Sequence, residues 1–69
     1  MKPVLTNNVY ELRGKVGATQ EALAQAVGVT RQTIIAIEKG NYAPSVVLAL
    51  KLAKFFGKPV EEIFNHHEK

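Results

Sequence analysis

Residues 20–39 read QEALAQAVGVTRQTIIAIEK and predict two short amphipathic helices separated by a few residues. The apolar residues that share one face of each predicted helix are Leu23, Ala24 and Val27 in the first, and Ile34 and Ile37 in the second. This pattern suits two helices that cross steeply at close range, because the small side chain of Ala24 leaves room at the crossing. Aliphatic side chains of the second helix then fill the wedge between the two.

The junction between these helices carries the residues that a tight turn needs. Gly28 can adopt the positive φ that often ends a helix, and Thr30 can accept hydrogen bonds from the first backbone amides of the next helix. The stretch therefore predicts a helix-turn-helix, a motif whose second helix enters the major groove of DNA in many regulators.

The composition is that of one small folded domain over residues 1–69. Apolar residues make up 46% of the chain and charged residues 22%, which is ordinary for a globular protein. The sequence contains no cysteine, which excludes disulfides and thiolate metal sites and favours the cytoplasm. It has no run of eighteen apolar residues and no apolar leader, so we expect no membrane span.

The charge is unevenly distributed along the chain. The formal net charge is +3, and residues 1–59 hold eight basic residues against three acidic ones. Residues 60–69 carry three glutamates against Lys69. A polyanion partner is therefore allowed but not required, and DNA is expected to dock on the earlier part of the chain.

Glycines placed as helix stops, together with Thr19, Thr30 and Ser45 as candidate caps, divide the chain into helices. The predicted helices span about 8–16, 19–27, 31–39, 45–56 and 60–65, followed by a polar tail at 65–69. Since no stretch alternates apolar and polar residues, we predict no strand and an all-α fold.

Two of these helices are expected to contribute to the core. In the first helix the spacing predicts a core stripe of Val9, Leu12 and Val16. The fourth helix is expected to be the central core helix, because it is apolar on most sides. Its apolar residues are Val46, Leu50, Ala53 and Phe56, with Val47, Leu48 and Leu52 beside them.

The stretch TQEALAQAVGVTRQTIIAIEKGNYAPSVVLALKLAKFFGKPVEEIF resembles the helix-turn-helix family of phage repressor and Cro proteins. The resemblance extends from about Val9 to Phe64, which is nearly the whole chain. It implies a compact five-helix, lambda-repressor-like domain that regulates transcription, most often as a repressor. It also implies binding of double-stranded, palindromic operator DNA as a two-fold homodimer.

The resemblance places residues 31–38 in the major groove, with Arg31 and Gln32 meeting base edges. Arginine can bridge O6 and N7 of guanine, and glutamine can bridge N6 and N7 of adenine. Ile35 and Ala36 share the same outward face. Ile35 could pack on thymine methyl groups or against the edge of the core, and Arg31 and Gln32 could instead be solvated first-turn residues.

The resemblance further implies a set of phosphate contacts and one structural ion pair. The candidate phosphate contacts are Gln20, Thr30, Thr33, Lys39, Asn41 and Tyr42. Arg13 and Glu38 match a pair that joins the first helix to the end of the recognition helix. Such a pair stabilises the fold if it is buried and contributes little if it is exposed.

A homodimer is expected to form through the last helix and the turn before it. The candidate interface residues are Phe56, Val60, Ile63 and Phe64, and the alternative for each is a place in the monomer's own core. If the protein dimerises, its recognition helices should lie about 34 Å apart, one turn of the DNA duplex.

The sequence offers little from which to build a catalytic site. It contains neither cysteine nor aspartate, and both histidines lie in the predicted tail. Glu62 and His66 could form a weak metal pair, although a polar tail is the simpler interpretation. We therefore predict no enzyme activity, no cofactor, no metal and no small-molecule substrate. The alternative function is a DNA-binding antitoxin or a protein-interaction adaptor that uses the same surface, since Ile35 and Ala36 are apolar.

Overall fold

The helices and strands of the protein pack around one hydrophobic core. The computed structural model describes residues 3–68. In chain order the elements are β1 (Pro3–Asn7), α1 (Val9–Val16), α2 (Gln20–Val27), α3 (Arg31–Glu38), α4 (Val46–Phe56), α5 (Val60–Ile63) and β2 (Phe64–Glu68). The five predicted helices are therefore all present in the described part of the chain, which is predominantly helical as expected.

Three helices begin at the predicted caps. The Thr19 side chain accepts a hydrogen bond from the backbone amide of Ala22 at 3.0 Å, at the start of α2. Thr30 and Ser45 accept equivalent bonds at the starts of α3 and α4. Each bond satisfies an amide that the helix itself leaves without a partner, so these boundaries are set by local chemistry.

The helix-turn-helix is formed by α2 and α3. Gly28 ends α2 with φ of 78°, and the backbone amide of Val29 donates to the Ala24 carbonyl at 2.9 Å. The inward residues of both helices are buried as predicted, with at most 3% exposure: Leu23, Ala24, Val27, Ile34 and Ile37. The faces predicted from the spacing are confirmed.

The core uses fewer residues of α1 and α4 than the sequence indicates. On α4 the buried residues are Leu48 and Leu52, whereas Val46 and Leu50 are 76% and 58% exposed. Because this helix is apolar on most sides, its sequence does not specify which face turns inward, and packing against α2 and α5 selects the Leu48 face. Val16 is also exposed, so the inward stripe of α1 is reduced to Val9 and Leu12.

The absence of strands was also a wrong prediction. β1 pairs with β2 in an antiparallel sheet, in which Asn7 lies opposite Phe64 and Leu5 lies opposite His66. Consequently α5 ends at Ile63, and residues 65–68 of the predicted polar tail belong to a strand. Each strand is only five residues long, and the two are formed by pairing between the ends of the chain. Helix and strand periodicities do not detect such pairing.

The candidate dimer residues divide into two groups. Ile63 is fully buried and Phe64 is 8% exposed, so both belong to the monomer's core, which is the alternative that the sequence left open for them. Phe56 and Val60 are half-buried and pack against that core. Phe64 is the first residue of β2 and lies in the terminal sheet formed by β1 and β2, whereas Ile63 is the last residue of α5.

The described residues can also be examined for a membrane-spanning helix and for a metal site. Among residues 3–68 no helix is long and apolar enough to cross a membrane. The described residues also contain no cluster of three potential metal-ligating side chains of His, Cys, Asp or Glu. The suggested Glu62–His66 pair lies outside what the structure describes, because His66 is described by its position in β2 and not by its side chain.

Candidate nucleic-acid interface

α3 has one face in the core and the opposite face turned outward. Successive residues are rotated by about 100° around a helix, so the buried residues Ile34 and Ile37 define the inner side. The outward face of α3 consists of Arg31, Gln32, Ile35, Ala36 and Lys39. Arg31, Gln32 and Lys39 are exposed, and Ile35 and Ala36 are half-buried. All four predicted base-contacting residues therefore share one accessible surface.

Two candidate phosphate contacts meet at the N-terminus of α3. The hydroxyl oxygens of Thr30 and Thr33 lie 3.2 Å apart, and Thr30 Oγ1 also accepts from the Thr33 backbone amide at 3.3 Å. The hydroxyl that caps the helix is thus exposed beside the first backbone amides. This arrangement of amides and hydroxyls is well suited to an anion.

The C-terminus of α3 leads into a turn that displays three further candidates. Gly40 has φ of 80°, its amide donates to the Ile37 carbonyl at 2.9 Å, and the Asn41 amide donates to the Ala36 carbonyl at 2.9 Å. This is the hydrogen-bond pattern of a Schellman helix end, which needs a left-handed residue at the position of Gly40. Lys39, Asn41 and Tyr42 are all exposed around it.

Arg13 and Glu38 form a bidentate pair between α1 and the end of α3. Arg13 Nε donates to Glu38 Oε2 at 2.8 Å, and Nη2 donates to Oε1 at 3.3 Å. The two side chains are only 14% and 7% exposed. The hydrogen bond with Glu38 raises the pKa of the Arg13 guanidinium, although burial opposes this shift. The remaining guanidinium group, Nη1, donates to the Ala18 carbonyl at 3.0 Å.

Gln20 occupies a different place from the one expected for a free phosphate contact. Its Nε2 donates to Glu38 Oε1 at 3.1 Å, and the residue is half-buried. The Glu38 carboxylate is therefore held by α1 and α2 together. Nothing in the local sequence around Gln20 signals this bond, because its partner lies 18 residues further along the chain.

Asn7 is the residue near this surface that sequence reasoning missed. Its Nδ2 donates to the Ile37 carbonyl at 2.8 Å, while its Oδ1 accepts from the Val9 amide at 3.1 Å. The second bond could have been anticipated, since asparagine often caps the amides of a following helix. The first bond crosses 30 residues and depends on the tertiary fold.

The outward face of α3 carries positive charge without an internal counter-charge. Among the side chains that the structure describes, those of residues 5–65, the ion pairs are Arg13–Glu38 and an exposed Lys58–Glu62 pair at 3.9 Å. Arg31 and Lys39 thus have no acidic partner in the described part of the chain. Exposed cations at one surface, beside a helix N-terminus, provide the charge that a polyanion needs.

A family model described as helix-turn-helix matches residues 9–63, which cover α1 to α5. The chain belongs to the helix-turn-helix family of phage repressor and Cro type. Members of this family are DNA-binding transcriptional regulators and are not enzymes, so the chain is a DNA-binding regulator without a catalytic function.

Individual relatives agree with this assignment. The uncharacterized transcriptional regulator YgzD of Bacillus subtilis is 53% identical over 60 residues, which cover 87% of this chain and 91% of YgzD. The phage CTXphi transcriptional repressor RstR of Vibrio cholerae is 34% identical, over 94% of this chain and 59% of RstR. The crystal structure of the restriction-modification controller protein C.AhdI from Aeromonas hydrophila superposes with a TM-score of 0.73 at 34% identity, covering 80% of this chain and 83% of C.AhdI.

Proposed function

We propose that the protein is a sequence-specific transcriptional repressor that places the outward face of α3 in the major groove of a palindromic operator. The observation that carries this proposal is the exposure of Arg31 and Gln32 in the first turn of α3. Arg31 can bridge a guanine and Gln32 can bridge an adenine from that position. Repression is the activity named for the relative RstR. Such a regulator acts where the genome lies, in the cytoplasm of a cell without a nucleus.

The phosphate contacts in this proposal lie on both sides of the base-reading residues. Thr30 and Thr33 are at the N-terminus of α3, and Lys39, Asn41 and Tyr42 surround its C-terminus. Gln20 has one bond to Glu38, and its second amide hydrogen stays available for a phosphate oxygen. Contacts on both sides would fix the register of α3 along the groove.

Ile35 is half-buried, so only part of its side chain is accessible to a base. It lies on the outward face between Arg31 and Lys39 and combines partial burial with an exposed edge. We assign that edge, together with Ala36, to contact with thymine methyl groups, the apolar feature of the major groove. A protein-interaction adaptor would use the same apolar residues against a partner protein, and the binding experiment below distinguishes the two functions.

The first prediction concerns binding to DNA of random sequence. We expect micromolar or tighter binding at 50 mM salt, which weakens steeply as salt rises because bound phosphates release counterions. Fluorescence anisotropy with a labelled random duplex over a range of salt concentrations measures both quantities. Lys39→Gln should make the salt dependence shallower by about one unit per subunit in the log–log slope.

Lys58→Gln is the matched control for Lys39→Gln. Lys58 lies beyond α4, whose eleven residues carry the chain roughly 16 Å away from the turn that follows α3. Its ion pair with Glu62 is exposed and weak. The control should keep the wild-type slope. Absence of binding at 50 mM salt would contradict the proposal and favour the adaptor.

The homodimer belongs to this proposal, with a revised surface. Ile63 and Phe64 are in the core, but Val46, Val47 and Leu50 are 76%, 62% and 58% exposed and lie on the side of α4 that faces away from the core. A contiguous apolar surface of this kind is typical of a protein interface. Phe56 and Val60, which are half-buried against the core, remain candidates for the interface.

The second prediction tests that surface through the oligomeric state. Leu50→Gln should weaken the dimer at least about tenfold, because a two-fold interface loses two buried leucines of about 1.5–3 kcal/mol each. Sedimentation equilibrium at tens of micromolar provides the measurement. Val16→Gln is the matched control, since Val16 is 56% exposed on α1 and should leave the dimer unchanged. A wild-type protein that sediments strictly as a monomer would refute the dimer.

A further inference from the structure

The C-terminal end of α3 is attached to the rest of the molecule at two consecutive residues. The Ile37 carbonyl accepts from Asn7 Nδ2 at 2.8 Å, and the Glu38 carboxylate accepts from Arg13 and Gln20. These bonds come from β1, α1 and α2. The C-terminus of α3 is thus held by side chains of three other elements.

The opposite end of α3 is held differently. The side-chain hydrogen bonds at its N-terminus are local, between Thr30 and Thr33. Arg31 lies about 9 Å along the helix axis from Ile37, so a tilt of roughly 10° about Ile37 displaces it by roughly 1.6 Å. That displacement is larger than the spread of about 0.5 Å, from about 2.7 to 3.2 Å, within which the N···O distance of a hydrogen bond lies. A tilt of that size would move Arg31 out of hydrogen-bonding distance of a base that it contacted.

The Asn7 contact connects the terminal sheet to this end of α3. Asn7 is the last residue of β1 and lies opposite Phe64 of β2 in the sheet. Its Oδ1 accepts from the Val9 amide at 3.1 Å, which orients the side chain so that Nδ2 faces the Ile37 carbonyl. That carbonyl belongs to the last turn of α3, where the helix itself supplies no donor. Its other acceptor site takes the Gly40 amide at 2.9 Å.

We propose that Asn7 is a positioning residue for DNA reading, through which the terminal sheet sets the orientation of α3. This inference rests on the proposed function of sequence-specific binding. The Asn7 side chain is half-buried against α3. It acts through its bond to the Ile37 carbonyl and not by contacting a base. Its loss reduces the preference for the operator over other sequences and leaves the general attraction to DNA in place, since that attraction depends on exposed cations.

Asn7→Asp tests this role with a matched control in the neighbouring residue. The change preserves the shape and the Oδ1 acceptor, removes the Nδ2 donor and sets a carboxylate oxygen against the Ile37 carbonyl. Asn8→Asp makes the same change of charge and also removes an amide-to-carbonyl bond, from Asn8 Nδ2 to the Glu62 carbonyl at 3.1 Å. That bond leads to α5 rather than to α3. The difference between the two variants therefore isolates the contact with α3.

The measurement is the ratio of affinities for a duplex selected by the wild-type protein from a random pool and for a scrambled duplex of equal length. Asn7→Asp should lower this ratio at least tenfold relative to Asn8→Asp, while the two variants bind the scrambled duplex within about twofold of each other. Asn7→Ser, which loses the contact without adding charge, should lower the ratio in the same direction. Titrations are made well below each variant's thermal midpoint, so that loss of folded protein does not enter the ratio.

The outcomes are distinguishable from those that test the proposed function. If the wild-type protein enriches no sequence from the pool, the proposed function is wrong and this inference fails with it. If the wild-type protein does enrich a sequence, the proposed function stands. The positioning role of Asn7 is then wrong if the affinity ratios of Asn7→Asp and Asn7→Ser both lie within twofold of the ratio for Asn8→Asp. An equal loss of affinity for the selected and the scrambled duplex also contradicts the positioning role, because a purely structural role of Asn7 would give that result.

Discussion

Replacing Arg31 with alanine is expected to weaken binding to the selected operator by at least about 30-fold. A bidentate contact between arginine and guanine provides about 1–3 kcal/mol of discrimination, and a two-fold dimer makes the contact in both half-sites. Arg31 is exposed on the outward face of α3 and has no acidic partner among the described side chains of residues 5–65, so its removal should not destabilise the fold. Anisotropy titrations with the selected and the scrambled duplex measure the loss.

Arg31→Lys separates base reading from simple charge. Lysine retains the positive charge but lacks the planar fork that matches O6 and N7 of guanine. We expect this variant to bind the scrambled duplex as the wild type does and to lose most of the preference for the operator. If lysine restores operator binding fully, and alanine weakens both duplexes equally, Arg31 contacts only phosphate. A repeated selection with Arg31→Ala should show relaxed preference at one position of each half-site.

Replacing Glu38 with alanine is expected to lower the free energy of unfolding by about 2–3 kcal/mol, which corresponds to a fall in Tm of roughly 10 °C or more. The Arg13 side chain is 14% exposed, and the change removes its counter-charge. The change also removes the acceptor of the Gln20 hydrogen bond. Breaking one side of such a pair costs more than the pair contributes, because a poorly solvated charge stays behind. Thermal and urea unfolding followed by circular dichroism measure the effect.

Glu62→Ala is the matched control for this prediction. Glu62 forms an ion pair with Lys58 at 3.9 Å, and its side chain is 62% exposed, so its removal should change stability by less than about 0.5 kcal/mol. The double variant Arg13→Met with Glu38→Leu should be more stable than Glu38→Ala alone, since it leaves no unpaired charge. Equal effects of Glu38→Ala and Glu62→Ala would contradict a stabilising role for the buried pair.

The sequence by itself determined the helix-turn-helix. Thr19, Thr30 and Ser45 cap helices through bonds to amides three residues away, and Gly28 ends α2 by its own positive φ. These interactions are local, so a residue type at one position is enough to signal them. The inward faces of α2 and α3 were equally predictable, because Glu21 and Gln25 on α2, and Arg31 and Gln32 on α3, lie away from the apolar stripes and favour solvent.

The face of α4, by contrast, was decided only in the tertiary structure. Val46 and Leu50 are as apolar as Leu48 and Leu52, so transfer from water favours burial of either pair. Contacts with α2 and α5 select the second pair, and the sequence of a helix that is apolar on most sides does not encode that selection. Val46 and Leu50, which stay exposed, then form a candidate surface for a partner.

The terminal sheet is the second feature that only the tertiary structure decided, and it reaches the candidate site. β1 and β2 are five-residue segments at opposite ends of the chain, and each satisfies its backbone only by pairing with the other. Pairing places Asn7 against the Ile37 carbonyl, just as folding places Gln20 against Glu38. Local sequence therefore determined which residues of α3 face the solvent, whereas contacts over long separations determined how α3 is held.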